Sequence, residues 1–224
     1  MEFVWVEGGC YKMGCGSWTN KCDNDEKPVH EVCLDGFYMG KYEVTQGQWL
    51  KVEENNPSYF RECGSDCPVE GVSWREVRDF IEKLNVMSQA AYRLPTEAEW
   101  EFTARSGGKP EKYAGDNDAD QVAWYSGNSD GRSHQVGTRA PNGLGLYDLS
   151  GNVWEWCMDW YDSDYYDNSP RYNPRGPSSG SSRVFRGGSW YRKSEWARTT
   201  NRYWSKPGNS FSNLGFRLVL PRDR

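Results

Sequence analysis

The sequence predicts an α+β fold of few short helices and strands joined by ordered loops, in a single domain over residues 1–224. Three observations point there. The chain carries 24 Gly and 11 Pro, so it turns often and leaves little room for long elements. It carries 12 Trp, 14 Tyr and 8 Phe, large side chains that build a core although only 36% of residues are hydrophobic. Its 224 residues suffice for one substantial core and are few for two ordinary domains.

Phe3-Val4-Trp5-Val6 reads as a strand closed by Gly8-Gly9, and Asp35 to Val44 as a second, aromatic and turn-bounded. Three helix starts then share one chemistry: Thr45 with Gln48, Ser73 with Glu76, and Thr96 with Glu99. In each, the hydroxyl accepts from the amide three residues on while the longer side chain reaches back. Trp49 and Val52 follow the first start, and Trp100 and Ala104 the third. Val77, Phe80, Ile81 and Leu84 follow the second with the spacing of one buried helix face. All three helices are expected to be short, amphipathic and packed on one body. From Ser106 to Ser182 no long periodic run occurs, but Trp124, Tyr147, Trp154, Trp156 and Trp160 are anchors that pin loops to a core. Asp162 to Gly180 is expected to be the most mobile excursion. Arg183–Arg186 and Leu214–Leu220 are expected to close the chain as strands.

Composition excludes several classes. The net charge is −5 and no basic run occurs, which argues against nucleic acid as a partner. No apolar stretch approaches the ~20 residues of a membrane helix, so no membrane insertion is expected. Met1 to Val6 lacks the basic flank and long apolar core of a signal peptide. The cysteines at 10, 15, 22, 33, 63 and 67 cluster, while Cys157 stands apart. Zinc calls for regular ligand pairs, a poor match to these spacings, and only His30 and His134 are available to help. Disulfides, with Cys63 and Cys67 as a loop staple, or buried reduced thiols are the other readings, and the pairing is open. Disulfides would favour a cell-surface, secreted or virion-associated protein; reduced thiols would favour the cytoplasm.

Five segments together resemble one family: Asp25–His30; Lys41–Trp49; Tyr92–Glu101, which contains Arg-Leu-Pro-Thr-Glu-Ala-Glu-Trp; Asn142–Trp156, which contains Gly-Leu-Tyr-Asp-Leu-Ser-Gly-Asn-Val-Trp-Glu-Trp; and Arg186-Gly-Gly-Ser-Trp190 with Leu214-Gly-Phe-Arg217. The chain is identified over nearly its whole length as similar to formylglycine-generating enzymes, the sulfatase-modifying factors. The resemblance implies a C-type-lectin-like fold. Oxidising members use two cysteines after Gly-Gly-Ser to bind copper, a soft ion that prefers thiolates. Arg192 and Ala197 stand at those positions and no cysteine follows Cys157, so no copper is expected. No catalytic residue is assigned, because Ser189 has no indicated base and reads as a turn hydrogen-bond partner. Asp148, Gly151, Val153 and Glu155 match a family calcium site of two side-chain and two carbonyl oxygens. The competing reading has Asp148 and Glu155 hydrogen-bonded to neighbouring groups.

The segment of about 186–217 is rich in Tyr, Trp, Arg, Ser and Asn, the composition of binding surfaces. It lacks both the alternation of a strand and the stripe of an amphipathic helix. The ligand-binding residues expected here are Trp190, Tyr191, Arg192, Ser194, Trp196, Tyr203, Trp204, Ser205, Asn209, Ser210, Phe211, Ser212 and Asn213. The segment is similar in placement to the rewritten stretch of variable proteins of diversity-generating retroelements, in which Trp196, Trp204, Lys193 and Lys206 would be fixed scaffold. The reading is a non-catalytic module that binds a protein or peptide ligand through this surface. The alternative is a formylglycine-generating type of oxidase acting on a cysteine-containing peptide.

Overall fold

The structure, a computed structural model, describes residues 1–19 and 21–222. β1 (Phe3–Val6), β2 (Gly9–Met13), β3 (His30–Leu34) and β4 (Phe37–Gly40) open the chain. β2 and β3 form an antiparallel pair with Cys10 opposite Cys33. Neither strand is in the sequence reading, although Tyr11 and Met13 are buried and alternate with the exposed Cys10 and Lys12. Cys10 is disulfide-bonded to Cys33, Cys15 to Cys22 and Cys63 to Cys67. Cys157 is a buried free thiol, pushed up by burial and by the neighbouring Asp159 charge. Disulfides persist in oxidising compartments, so a cell-surface, secreted or virion-associated location is favoured.

The capping boxes form as expected at α1 (Gln46–Trp49), α2 (Trp74–Ser88) and α3 (Glu97–Ala104). α2 buries Val77, Phe80 and Ile81. α3 corrects the expectation of amphipathic helices, because every one of its residues is buried, Glu97, Glu99 and Glu101 included. A carboxylate tolerates such a place only when paired. Arg202 donates to Glu97 at 2.7 Å, Arg93 to Glu99 at 2.6 Å and Arg105 to Glu101 at 2.9 Å. Burial raises Glu97, but the Arg202 and Arg186 charges more than offset it and hold the carboxyl below its usual value.

After the short α4 (Ala119–Val122) come β5 (Trp154–Trp160), β6 (Arg183–Arg186), β7 (Tyr203–Ser205), β8 (Leu214–Gly215) and β9 (Val219–Pro221). Among the described residues the sheets run β1-β4-β9, β2-β3 and β7-β6-β5-β8, with β5 and β8 parallel. The expected strand over 214–220 is broken between Gly215 and Val219. There the buried Arg217 leaves the ladder and donates to Glu155 and to the carbonyls of Gly40 and Tyr147. Asp162–Gly180 packs rather than swinging free: Tyr166 is buried, and Asn173 exchanges hydrogen bonds with Asp35 at 3.0 Å. One core gathers β1–β4, α3 and Cys157; a second gathers α2 with Trp154, Trp156 and Phe185. The candidate site lies over the second.

Candidate functional site

The Gly-Gly-Ser turn after β6 aims the chain that follows. Gly188 has φ +77°, and a Cβ there would lie 2.7 Å from the Ala197 backbone, so only glycine lets the two segments approach. Backbone bonds fix the turn: the Gly151 amide donates to the Gly187 carbonyl at 2.7 Å, and the Trp190 amide to the Asn152 carbonyl at 2.8 Å. The buried Ser189 hydroxyl accepts from Asn213 at 3.0 Å, a structural use. His134 is stacked on Trp124 at 3.7 Å and bonded to the Ser129 carbonyl, and His30 packs on Tyr166, so both imidazoles are engaged elsewhere.

The stretch that reads as one display surface is divided. Ala197 to Arg202 is buried throughout. Arg198 donates to Glu26 at 2.6 Å, Arg202 to Glu97 at 2.7 Å, and Arg186 to the Thr200 carbonyl at 2.7 Å. Burial raises the Glu26 carboxyl, yet the hydrogen bond and charge of Arg198 bring it below its usual value. The segment also contains β7, which pairs with β6 and corrects the reading that no strand lies there.

The flanks of that buried block enclose a cavity of about 620 Å³. Trp154, Phe185 and Leu214, from β5, β6 and β8, line it together with Tyr203 from β7. Trp190, Tyr191 and Arg192 line it from the Gly-Gly-Ser side, and Ser210, Phe211, Ser212 and Asn213 from the loop before β8. That loop is braced by the Gly71 amide on the Phe211 carbonyl (3.0 Å) and the Arg75 amide on the Pro207 carbonyl (3.2 Å). Tyr191 is 64% exposed and Phe211 43% exposed, so apolar rings face solvent beside the opening. Behind Trp190, Phe60 packs edge-on at 5.1 Å and its amide donates to Glu70 at 2.8 Å.

The cavity does not take in every expected residue. Ser194 and Trp196 sit in a short 3-10 turn, from which Trp196 packs edge-on against Tyr203 at 5.5 Å. Trp204 follows the alternation of β7 and stacks on Tyr161 at 4.4 Å. Ser205 and Asn209 bond each other at 2.9 Å. Trp154, Phe185 and Leu214 lie outside the sequence reading of the lining, because the core side of a strand reads as packing. Arg192 lines the cavity, whereas Ala197 is buried with Tyr113, Ala119 and Ala123. Another cleft of about 620 Å³ opens beside Asp35, Arg93, Asn173 and Arg175, but Arg93 is committed to Glu99 and Asp35 to Asn173.

Asp148 and Glu155 each have partners. Asp148, at φ +60°, accepts from the Gly137 amide at 2.7 Å. Glu155 accepts from Arg217 at 2.6 Å and from the Trp100 indole at 2.7 Å. Glu43 accepts from the Val153 amide at 3.0 Å and from the Asn152 side chain. Burial pushes Asp148 up to about 6; burial, with the Asp148 and Glu155 charges, pushes Glu43 well above the carboxylate range. Among the described residues no three His, Cys, Asp or Glu side chains form a metal-holding group, so a cation would also need backbone carbonyls.

The sequence profile of the sulfatase-modifying factor enzyme 1-like domain matches residues 1–222. The chaperone protein LppX of Paenibacillus barcinonensis is 31% identical over 84% of this chain and 78% of its own length. The formylglycine-generating enzyme of Streptomyces coelicolor is 38% identical over 70% of this chain, which spans 53% of that enzyme. Among solved structures, Treponema denticola variable protein 1 superposes with a TM-score of 0.88 at 30% identity, covering 98% of this chain and 94% of that one.

Proposed function

This chain belongs to the sulfatase-modifying factor family, and from that premise we propose that it keeps the family scaffold as a non-catalytic module whose cavity binds a protein or peptide ligand. The observation that carries this reading is the aromatic cavity itself. Rigid Trp and Tyr rings give contact area at low entropic cost, and the serines and asparagine beside them adapt hydrogen bonds. The volume of about 620 Å³ falls within the roughly 300–1,000 Å³ of ligand pockets. Copper chemistry lacks its ligands in the sequence, since Arg192 and Ala197 replace both thiols. The likeness to a variable protein supports the further proposal that Tyr191, Arg192, Tyr203 and Ser210–Asn213 are open to diversification. In the test, 12-residue peptides are selected from a random library on the immobilised chain. Changing Tyr191, Tyr203 and Phe211 together to Ala is expected to abolish their binding while the circular dichroism stays unchanged. Selected peptides that all bind the triple variant equally would overturn the reading.

The premise extends to a structural calcium ion at Asp148, Gly151, Val153 and Glu155. Asp148 and Glu155 carry two negative charges at neutral pH against the one guanidinium of Arg217, which suits a hard cation taking carbonyl ligands as well. EGTA is expected to lower the melting temperature by several degrees. An unchanged melting curve removes the ion from the proposal.

A further inference from the structure

Among the described residues Arg192 is the one charged side chain lining the cavity. Its guanidinium lies over the Trp196 ring at 5.0 Å and the Tyr203 ring at 5.8 Å, so aromatic faces hold it in place. Its backbone is fixed as well: the Arg192 amide donates to the Ser189 carbonyl at 3.0 Å, and the Arg192 carbonyl accepts from the Ser126 amide at 2.9 Å. Yet its Nε is buried with no acceptor among the described residues, and no ion pair engages it there. Glu195, the nearest acid in sequence, points to Lys21 instead at 3.7 Å. Arg192 is half-buried, and the fully buried arginines of the C-terminal region, Arg186, Arg198, Arg202 and Arg217, each meet a glutamate. The guanidinium inside the cavity is thus positioned by rings and left without the anion its five donors fit.

We propose that Arg192 is the anion-recognition residue of the cavity and that the bound peptide presents an Asp or Glu carboxylate to it, beside an apolar or aromatic residue packed on Tyr203 and Phe211. This rests on the binding reading above and names the chemistry of its ligand. A planar fork meets a carboxylate with two parallel charge-assisted bonds, which a neutral amide cannot reproduce. The Trp196 and Tyr203 rings against the guanidinium lower the local dielectric and strengthen that contact.

The peptides from the selection above supply the test. Those that depend on the three aromatic residues are expected to contain Asp or Glu. Changing that acid to Asn or Gln, or making Arg192→Gln in the protein, is expected to weaken binding by about 10-fold or more. The two changes together should cost little more than either alone. Arg192→Lys, which keeps the charge without the fork, should recover only part of the affinity. Peptides that need the aromatic residues but lack an acid and ignore Arg192→Gln would overturn this inference and leave the binding module standing. A selection yielding no peptide that depends on the aromatic residues would sink both. Circular dichroism of each variant shows whether a loss reflects binding rather than folding.

Discussion

Glu70 is a fully buried carboxyl with one oxygen bonded to the Phe60 amide and the other, Oε2, unpartnered. Burial raises it to about 7, against the pull of the Phe60 and Tyr59 amides and the Arg61 charge. In the unfolded chain the same group ionises near 4.5. Between those values the folded state holds the extra proton, so stability falls as pH rises from about 4.5 to about 7 and then levels off. Glu70→Gln keeps the acceptor and removes the ionisation. It is expected to match the parent near pH 4 and to exceed it at pH 8 by up to about 3 kcal/mol in urea unfolding. A variant with the parent's pH dependence would remove Glu70 as its source. Residues of this kind are hard to read from sequence: nothing around Glu70 signals burial, whereas Arg192 and Ala197, which the family resemblance sets where two copper-binding thiols would stand, are legible at once.

At the level of elements, legibility follows range. The capping boxes at Thr45, Ser73 and Thr96 are local, three-residue devices, and each forms as written. The β2-β3 pairing joins residues from Met13 with His30 out to Gly9 with Leu34, too far apart along the chain to give a local signal, so it is missed. β5 is missed for another reason. Its run Trp-Glu-Trp-Cys-Met-Asp-Trp is buried on both sides, so alternation is blurred, and Glu155 and Asp159 look like solvent-facing residues. The same error hides the character of α3, whose glutamates read as a polar face until their arginines arrive from 93, 105 and 202. In the site, the loop-borne rings are legible by composition, while Trp154 and Phe185 emerge only once two strands lie side by side.

For the whole molecule, the disulfides tie β2 to β3 and close the loops at 15–22 and 63–67. Cys10 and Cys33 close 23 residues and Cys15 and Cys22 close 7. A loop of the longer kind contributes about 3 kcal/mol by restricting the unfolded chain. A phosphine reductant is therefore expected to lower the melting temperature markedly, and Cys157 to resist alkylation until the chain unfolds. Mass spectrometry after pulse labelling reads both, and rapid native labelling of Cys157 would contradict its burial. The buried block from Ala197 to Arg202 has a consequence for how such a surface changes over generations. Novelty and viability are separated along the chain: substitutions at Tyr191 and Arg192 and at Ser210–Asn213 alter what is touched, while those at 197–202 strike the keel. A randomised library confined to the two outer windows should return mostly folded clones, and one that runs through the middle should be dominated by dead ones. Six residues without a view of solvent set the grammar within which the visible ones can be rewritten.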